Sequence, residues 1–291
     1  MLFVKPNSMN LRFLFNLAAL VTCVGFIGRP TTGLAQTQLS EWERGVSVDS
    51  KGQPDMRVYL WFYEWHMFGA IKPGQHTGGT WNNQVNVRND RLAASIQSET
   101  PGLSVAMSAV ADGAELKLHV TNKTDREWPQ LASMIACFNP GPRETRNRQF
   151  ANTNSWFLSA DGLRPLAIKA PREIHYNTAL RKVINVQADD GRFDWTFKWP
   201  ASDVDAIDGL IIRESTDREW VTGIAWNRFL SAQGHNPWEC MHLSAHVGPL
   251  EPGQTRNVMG RIWLFRGNRD DLLSRYRQWK TAAHKTTRGQ D

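Results

Sequence analysis

Residues 57–65, Arg-Val-Tyr-Leu-Trp-Phe-Tyr-Glu-Trp, are the most constraining stretch of this 291-residue chain. Nearly every position is β-branched or aromatic, a composition that suits a packed, pleated surface and not a helix. On a strand, Val58, Leu60 and Phe62 point one way while Tyr59, Trp61, Tyr63 and Trp65 point the other. A plain two-layer sandwich would leave one of those faces polar. Both are apolar here, so either a further layer covers the aromatic face or that face lines a ligand groove.

Strand signals dominate elsewhere too. Asp112-Gly113 separates Leu103–Val110 from residues 115–120, a hairpin pattern. Within 115–121, Leu116, Leu118 and Val120 alternate with Glu115, Lys117, His119 and Thr121. Strands are expected at 210–212, 220–226, 241–247 and 257–265, the last two flanking the tight turn Leu250-Glu251-Pro252-Gly253. Helix is expected as a single turn at 204–208 and over 268–281. In the latter, Asn268 caps, Asp270 and Asp271 suit the positive dipole end, and Leu272, Tyr276 and Trp279 make the buried stripe. Helices do not alternate with strands, which argues against a parallel α/β sheet. The expected fold class is all-β: a large antiparallel β-sandwich with one C-terminal helix.

Lys5 and Arg12 accompany an apolar run from Phe13 to Ile27, and Gly33-Leu34-Ala35 supplies small residues where signal peptidase reads. The run is shorter than the ~20 residues that cross a bilayer. Residues 1–35 are therefore read as a cleaved secretory signal, and the mature protein as secreted or periplasmic, with no membrane attachment after cleavage. Cleavage leaves 31 basic against 28 acidic side chains, so the net charge falls from +6 to +3. That balance makes no case for nucleic acid as a partner. Residues 36–54 are set apart as an N-terminal segment, and 55–291 as a single β-sandwich domain. Cys137 and Cys240 form one disulfide or stay as two buried thiols; their spacing decides neither.

Three segments carry a resemblance. They are Val120-Thr121-Asn122-Lys123-Thr124-Asp125 with Trp128-Pro129; Gly234-His235-Asn236-Pro237-Trp238; and Gly248-Pro249-Leu250-Glu251-Pro252-Gly253 ahead of the strand at 260–265. Together they resemble an uncharacterised family of secreted bacterial β-sandwich proteins, over most of residues 55–277. The first and third also resemble strand endings and hairpins of the galactose-mutarotase-like supersandwich. The resemblance implies a sugar-facing concave sheet and transfers no catalytic residue.

Several residues are candidates for chemistry. Glu64 and His66, two apart on a strand, share a face at ~7 Å. They can serve as acid and base on opposite sides of a sugar, or sit hydrogen-bonded to backbone at a strand end. The loop His235-Asn236-Pro237-Trp238-Glu239-Cys240 brings an imidazole, an indole and a carboxylate ahead of a strand, either as a functional loop or as a turn whose Trp238 plugs the core. Arg213, followed by Glu214, can clamp a uronate carboxylate or form an ordinary surface ion pair. His76 lies in the polar loop His76-Thr77-Gly78-Gly79, which can close over a ligand. His175 and Tyr176 occupy a polar stretch whose spacing singles out neither.

His235, Cys240, His242 and His246 look like metal ligands in print, but His242 and His246 are ~13 Å apart along a strand. Two ligands of one zinc ion must lie within ~3–4 Å of each other. No metal and no cofactor is expected. Of the 13 Trp, those beside loops or strand ends (Trp65, Trp81, Trp156, Trp238) suit stacking on a pyranose, whereas Trp61, Trp226 and Trp263 belong to the core. No GxSxG, Walker A, HExxH, EF-hand or GxGxxG pattern follows the signal, which disfavours nucleotide-dependent chemistry and common serine hydrolases. The expected partner is carbohydrate or polysaccharide. Three readings stay open: a glycan-processing enzyme of hydrolase, lyase or epimerase type, with Glu64, His66 and His235 catalytic and Trp65, Trp238, Arg213 and His76 binding substrate; a non-catalytic carbohydrate-binding module; or a structural module of the cell envelope.

Overall fold

The computed structural model describes residues 36–43, 45–66, 77–78, 83–99, 102–139, 150–189, 199–237 and 239–287. In chain order the strands begin with β1 (Thr37–Trp42), β2 (Gly45–Ser50), β3 (Gln53–His66), β4 (Thr77–Gly78), β5 (Gln84–Val87), β6 (Ala93–Ser98), β7 (Leu103–Val110), β8 (Gly113–Thr121) and β9 (Ser133–Asn139). They continue with β10 (Ser155–Ser159), β11 (Gly162–Pro165), β12 (Ile174–Tyr176), β13 (Leu210–Glu214), β14 (Trp220–Trp226), β15 (Phe229–Gln233), β16 (Met241–His246) and β17 (Thr255–Arg266). Helix α1 (Arg181–Asp189) lies between β12 and β13, and α2 (Arg269–Thr287) ends the described chain.

Among the described residues the strands form two antiparallel sheets. The first runs β1-β2-β3-β9-β16-β15-β12, with β4 paired to β3; the second runs β11-β10-β13-β14-β17-β8-β7-β6-β5. The expected sandwich is therefore the observed one. The stretch set apart as an N-terminal segment belongs to it, because β1 and β2 pair with each other and β2 pairs with β3.

Alternation builds the core. Val58, Leu60 and Phe62 of β3, Leu116, Leu118 and Val120 of β8, and Met241, Leu243 and Ala245 of β16 all lie in one buried cluster between the sheets. The β7–β8 turn is one residue earlier than the sequence suggested, since Val110 pairs with Gly113 across Ala111-Asp112. Gly113 has φ +149° and a side chain there would meet Ile262 O at 1.9 Å, so the position demands glycine. Trp226 pairs with Gly260, and its ring lies so close that a Cβ on Gly260 would stand 2.3 Å from it.

Two of the segments that carry the resemblance, at 120–129 and 248–253, are tied together. Asn122 is fully buried; its Nδ2 donates to Arg126 O and Leu250 O at 2.7 Å, and its Oδ1 accepts from Thr124 N and Oγ1. One asparagine thereby ties the end of β8 to the Leu250 hairpin.

The C-terminal helix is longer than expected and capped as expected, with Asn268 Oδ1 accepting from the N–H groups of Asp270 and Asp271. Leu272 and Tyr276 are buried against Leu210, Ile212, Val221 and Trp263 on the outer face of the second sheet, with Trp279 packed at the edge. No helical turn forms at 204–208. The N–H groups of Ala206 and Ile207 donate instead to Tyr176 O and Leu158 O, and Val204 N to Ser202 Oγ. Helix α1, which periodicity did not announce, is held by Ile184 packing with Ile174, Tyr176 and Leu230.

Candidate functional site

The outer face of the first sheet is neither exposed nor simply apolar. Where β3, β9 and β16 send alternate residues to the core, Tyr59, Trp61, Cys137, His242, Ser244 and His246 take the opposite face. Trp61 pairs with Cys137, Cys137 with His242, and His242 with Gln233, giving one row across β3, β9, β16 and β15. Trp42, at the end of β1, packs on the β3 end of this row, its ring centroid 5.0 Å from Trp61 and 4.5 Å from Tyr59 two residues away. Of the two alternatives for the aromatic face, the structure shows a covering layer over Tyr59 and Trp61, which are 4% and 8% exposed.

Along β15, and towards the Ser133 and His246 end of β9 and β16, the face carries neutral polar groups. Ser231 Oγ donates to Ser244 Oγ at 3.2 Å, and Gln233 Nε2 to Arg172 O at 2.9 Å. His246 Nε2 lies 2.6 Å from Gln130 O, and burial pushes its pKa down to about 4. Ser133, opposite His246 in register, is buried and its hydroxyl has no hydrogen-bond partner.

The polar loop between β15 and β16 is held by its own side chains and by one buried arginine. Asn236 organises it: its Oδ1 accepts from Cys240 N at 3.1 Å, and its Nδ2 donates to Cys240 O at 2.9 Å. His235 and Glu239 both adopt left-handed backbone, with φ of 56° and 57°. Arg213, expected either as an anion clamp or in a surface ion pair, is instead fully buried and holds this loop. Its Nη1 donates to Glu239 O at 2.7 Å, Nε to Ser155 Oγ at 2.6 Å and Nη2 to Asn152 Oδ1 at 3.0 Å. Burial lowers its pKa to about 10.

The loop delivers Cys240 to Cys137 and His242. The two sulfurs and a ring nitrogen of His242 all lie within 4.8 Å of one another. No disulfide joins the cysteines, so of the two sequence alternatives the structure shows buried thiols. A hydrogen bond with the Cys137 thiol holds Cys240 well below the ordinary thiol pKa, and His242 acts in the same direction against the effect of burial. Asn139 Nδ2 lies 3.7 Å from Cys240 Sγ. Spacing along one strand separates His242 from His246 and gives no sign of Cys137, which reaches His242 only through the pairing of β9 with β16.

The remaining predicted residues are placed as follows. A register shift between Phe62 and Glu64 breaks the strict alternation assumed for β3. Beyond it Glu64 pairs with Ile135, Trp65 with Met134, and His66 with Ser133. His235 lies past the opposite end of the sheet row, two residues beyond Gln233, so the backbone does not bring it together with Glu64 and His66. Its Nδ1 is buried without a hydrogen-bond partner. His175 is fully buried in a stack on Phe157, its ring nitrogens 2.9 Å from Leu166 O and Val204 O. His76, Trp81 and Trp238 lie outside the described residues.

A second place combines accessibility with convergent chemistry. Between α2 and the outer face of the second sheet runs a groove of about 550 Å³, lined by Asp112, Glu115, Arg261, Asp271, Gln278 and Trp279, among others. Asp112 sets its floor, accepting from Arg261 Nη2 at 2.5 Å and Arg275 Nη1 at 2.6 Å. Arg261 Nη1 reaches Glu115 at 3.2 Å, while Arg261 Nε is buried with no partner. Trp279 stands edge-on to Trp263 at 5.9 Å and is only partly buried. Sequence placed Trp279 in the helix stripe, but nothing in it could show that Arg261 and Asp112, on different strands, would meet that indole.

No protein-family model matches the chain, and no curated protein matches it in sequence. Among solved structures it is similar to the Slr1438 protein of Synechocystis, with a TM-score of 0.41 and 9% identity, covering 80% of this chain and 93% of that one. A galactose mutarotase related enzyme from Lactobacillus acidophilus gives a TM-score of 0.39 and 10% identity, covering 80% of this chain and 98% of that one. A galactose mutarotase-like protein from Lactobacillus casei gives 0.37 and 11% identity, covering 79% and 100%. No residue's role passes from those proteins to this chain.

Proposed function

We propose that this is an exported carbohydrate-binding protein that holds a glycan in the groove between α2 and the second sheet. The observation that carries the reading is the groove's composition. A partly buried indole, Trp279, adjoins planar donors and acceptors from Arg261, Asp112, Glu115 and Gln278. Such a mix suits a ligand with an apolar ring face and a rim of hydroxyls: the indole takes the face, and the fixed polar groups set orientation. Apolar ligands are disfavoured by the ion pairs lining the groove. Export rests on the basic start, apolar run and small residues of positions 1–35.

The test is a polysaccharide panel, scored for binding and for release of reducing ends. Binding without release is expected; no binding to any member refutes the reading. The mass of protein expressed with its own leader should correspond to cleavage near Ala35. A glycan-processing reading is favoured by one feature, the backbone register of β3, β9 and β16, which pairs Glu64 with Ile135, His66 with Ser133 and Ser133 with His246. Release of reducing ends that is lost in Glu64→Gln supports it.

A further inference from the structure

We propose that Cys137, Cys240 and His242 form a Zn2+ site with three protein ligands, on the covered face of the first sheet and independent of the carbohydrate reading. The donors come from two adjacent strands and one rigid loop. Cys137 and His242 are directly paired in register, which places their side chains side by side on one face. Cys240 arrives from the loop that Asn236 and Arg213 fix, through the left-handed backbone of Glu239. The three donor atoms already lie within 4.8 Å of one another. Zinc bonds of ~2.0–2.3 Å require separations of ~3–4 Å, so an adjustment of about 1 Å closes the site.

The donor set selects the ion. Two thiolates and an imidazole suit Zn2+, whereas Mg2+ and Ca2+ need oxygen ligands, which this set lacks. Two thiolates neutralise a divalent cation. The filled site therefore carries no net charge, as a pocket under Trp42, Tyr59 and Trp61 requires. Asn139 Nδ2, 3.7 Å from Cys240 Sγ, supplies the outer hydrogen bond that usually orients a ligand. Among the described residues no fourth histidine, cysteine or carboxylate joins the set. The fourth position is left to water or an exogenous ligand, as in open zinc sites.

The experiment is metal analysis of the full protein, purified with thiols kept reduced and then titrated with Zn2+ and, as a spectroscopic probe, Co2+. The expected result is one ion per chain, with Co2+ giving thiolate-to-metal charge-transfer absorption and the strong visible bands of tetrahedral coordination. Cys137→Ser, Cys240→Ser and His242→Gln should each weaken Zn2+ binding by more than ~100-fold, beyond the 10–100-fold typical of losing an outer partner. Should any of these variants fail to fold, the Co2+ spectrum of the unaltered protein still decides. Less than half an ion per chain, a Co2+ spectrum without thiolate charge transfer, or uptake of Cu+ but not Zn2+ overturns the proposal. So does a Cys137–Cys240 disulfide formed while Zn2+ is supplied.

Discussion

Acidification should destabilise this protein through a side chain that makes no ion pair. His246 is 8% exposed on the covered face, with Nε2 2.6 Å from Gln130 O. Burial first, then the nearby Arg228 and Arg256, holds its pKa at about 4 against an ordinary 6.5, with the Gln130 carbonyl pulling the other way. Between those values the unfolded chain carries a proton here that the folded chain lacks, so stability rises with pH across the window and is lost as pH falls through it. At 1.36 kcal/mol per unit, an interval of about 2.5 units amounts to roughly 3 kcal/mol by pH 4, and to nothing above pH 7. Buried His175 is depressed too and acts with the same sign, so the comparison must isolate His246. Urea unfolding from pH 7.5 to 4 should show a shallower pH slope in His246→Gln than in the parent, by up to one proton's worth. Equal slopes, or a parent that gains stability towards pH 4.5 relative to the variant, would refute the reasoning.

Two further outcomes follow from packing. Arg213→Met should cost roughly 3 kcal/mol or more and lower the thermal midpoint, because it strips donors from Ser155, Asn152 and the Glu239 carbonyl at once; a midpoint within a degree of the parent would mean that the loop holds itself. Gly260→Ala should cost ~1–3 kcal/mol in urea unfolding, because the methyl enters the space of the Trp226 ring. An unchanged midpoint would show that the ring moves aside freely.

Much of the fold was legible because a half-buried strand writes period two into its own residues. Leu116, Leu118 and Val120 face the core while Glu115, Lys117 and His119 are exposed. The expected strand at 220–226 is β14 itself. What escaped depends on partners distant in sequence. Helix α1 contains Val183, Ile184 and Val186, poor helix formers, and stands because Ile184 packs on strands β12 and β15. The turn expected at 204–208 fails because its amides are claimed by Tyr176 and Leu158. Arg213 read as a surface charge only because the residues that accept its hydrogen bonds, Asn152, Ser155 and Glu239, are remote from it in the chain. The thiol–imidazole cluster was invisible for the same reason: roughly a hundred residues part Cys137 from Cys240, and only the pairing of β9 with β16 makes them neighbours.

The groove beside α2 is tested most directly by titrating the purified protein with soluble oligosaccharides while following indole fluorescence and heat. The same titration is then repeated with Trp279→Ala and Gln278→Ala, once circular dichroism has shown each to be folded. Saturable binding that Trp279→Ala weakens at least ~10-fold, about 1.4 kcal/mol, is the predicted result. Glycan binding that survives both substitutions at unchanged affinity would place the ligand elsewhere and contradict the account.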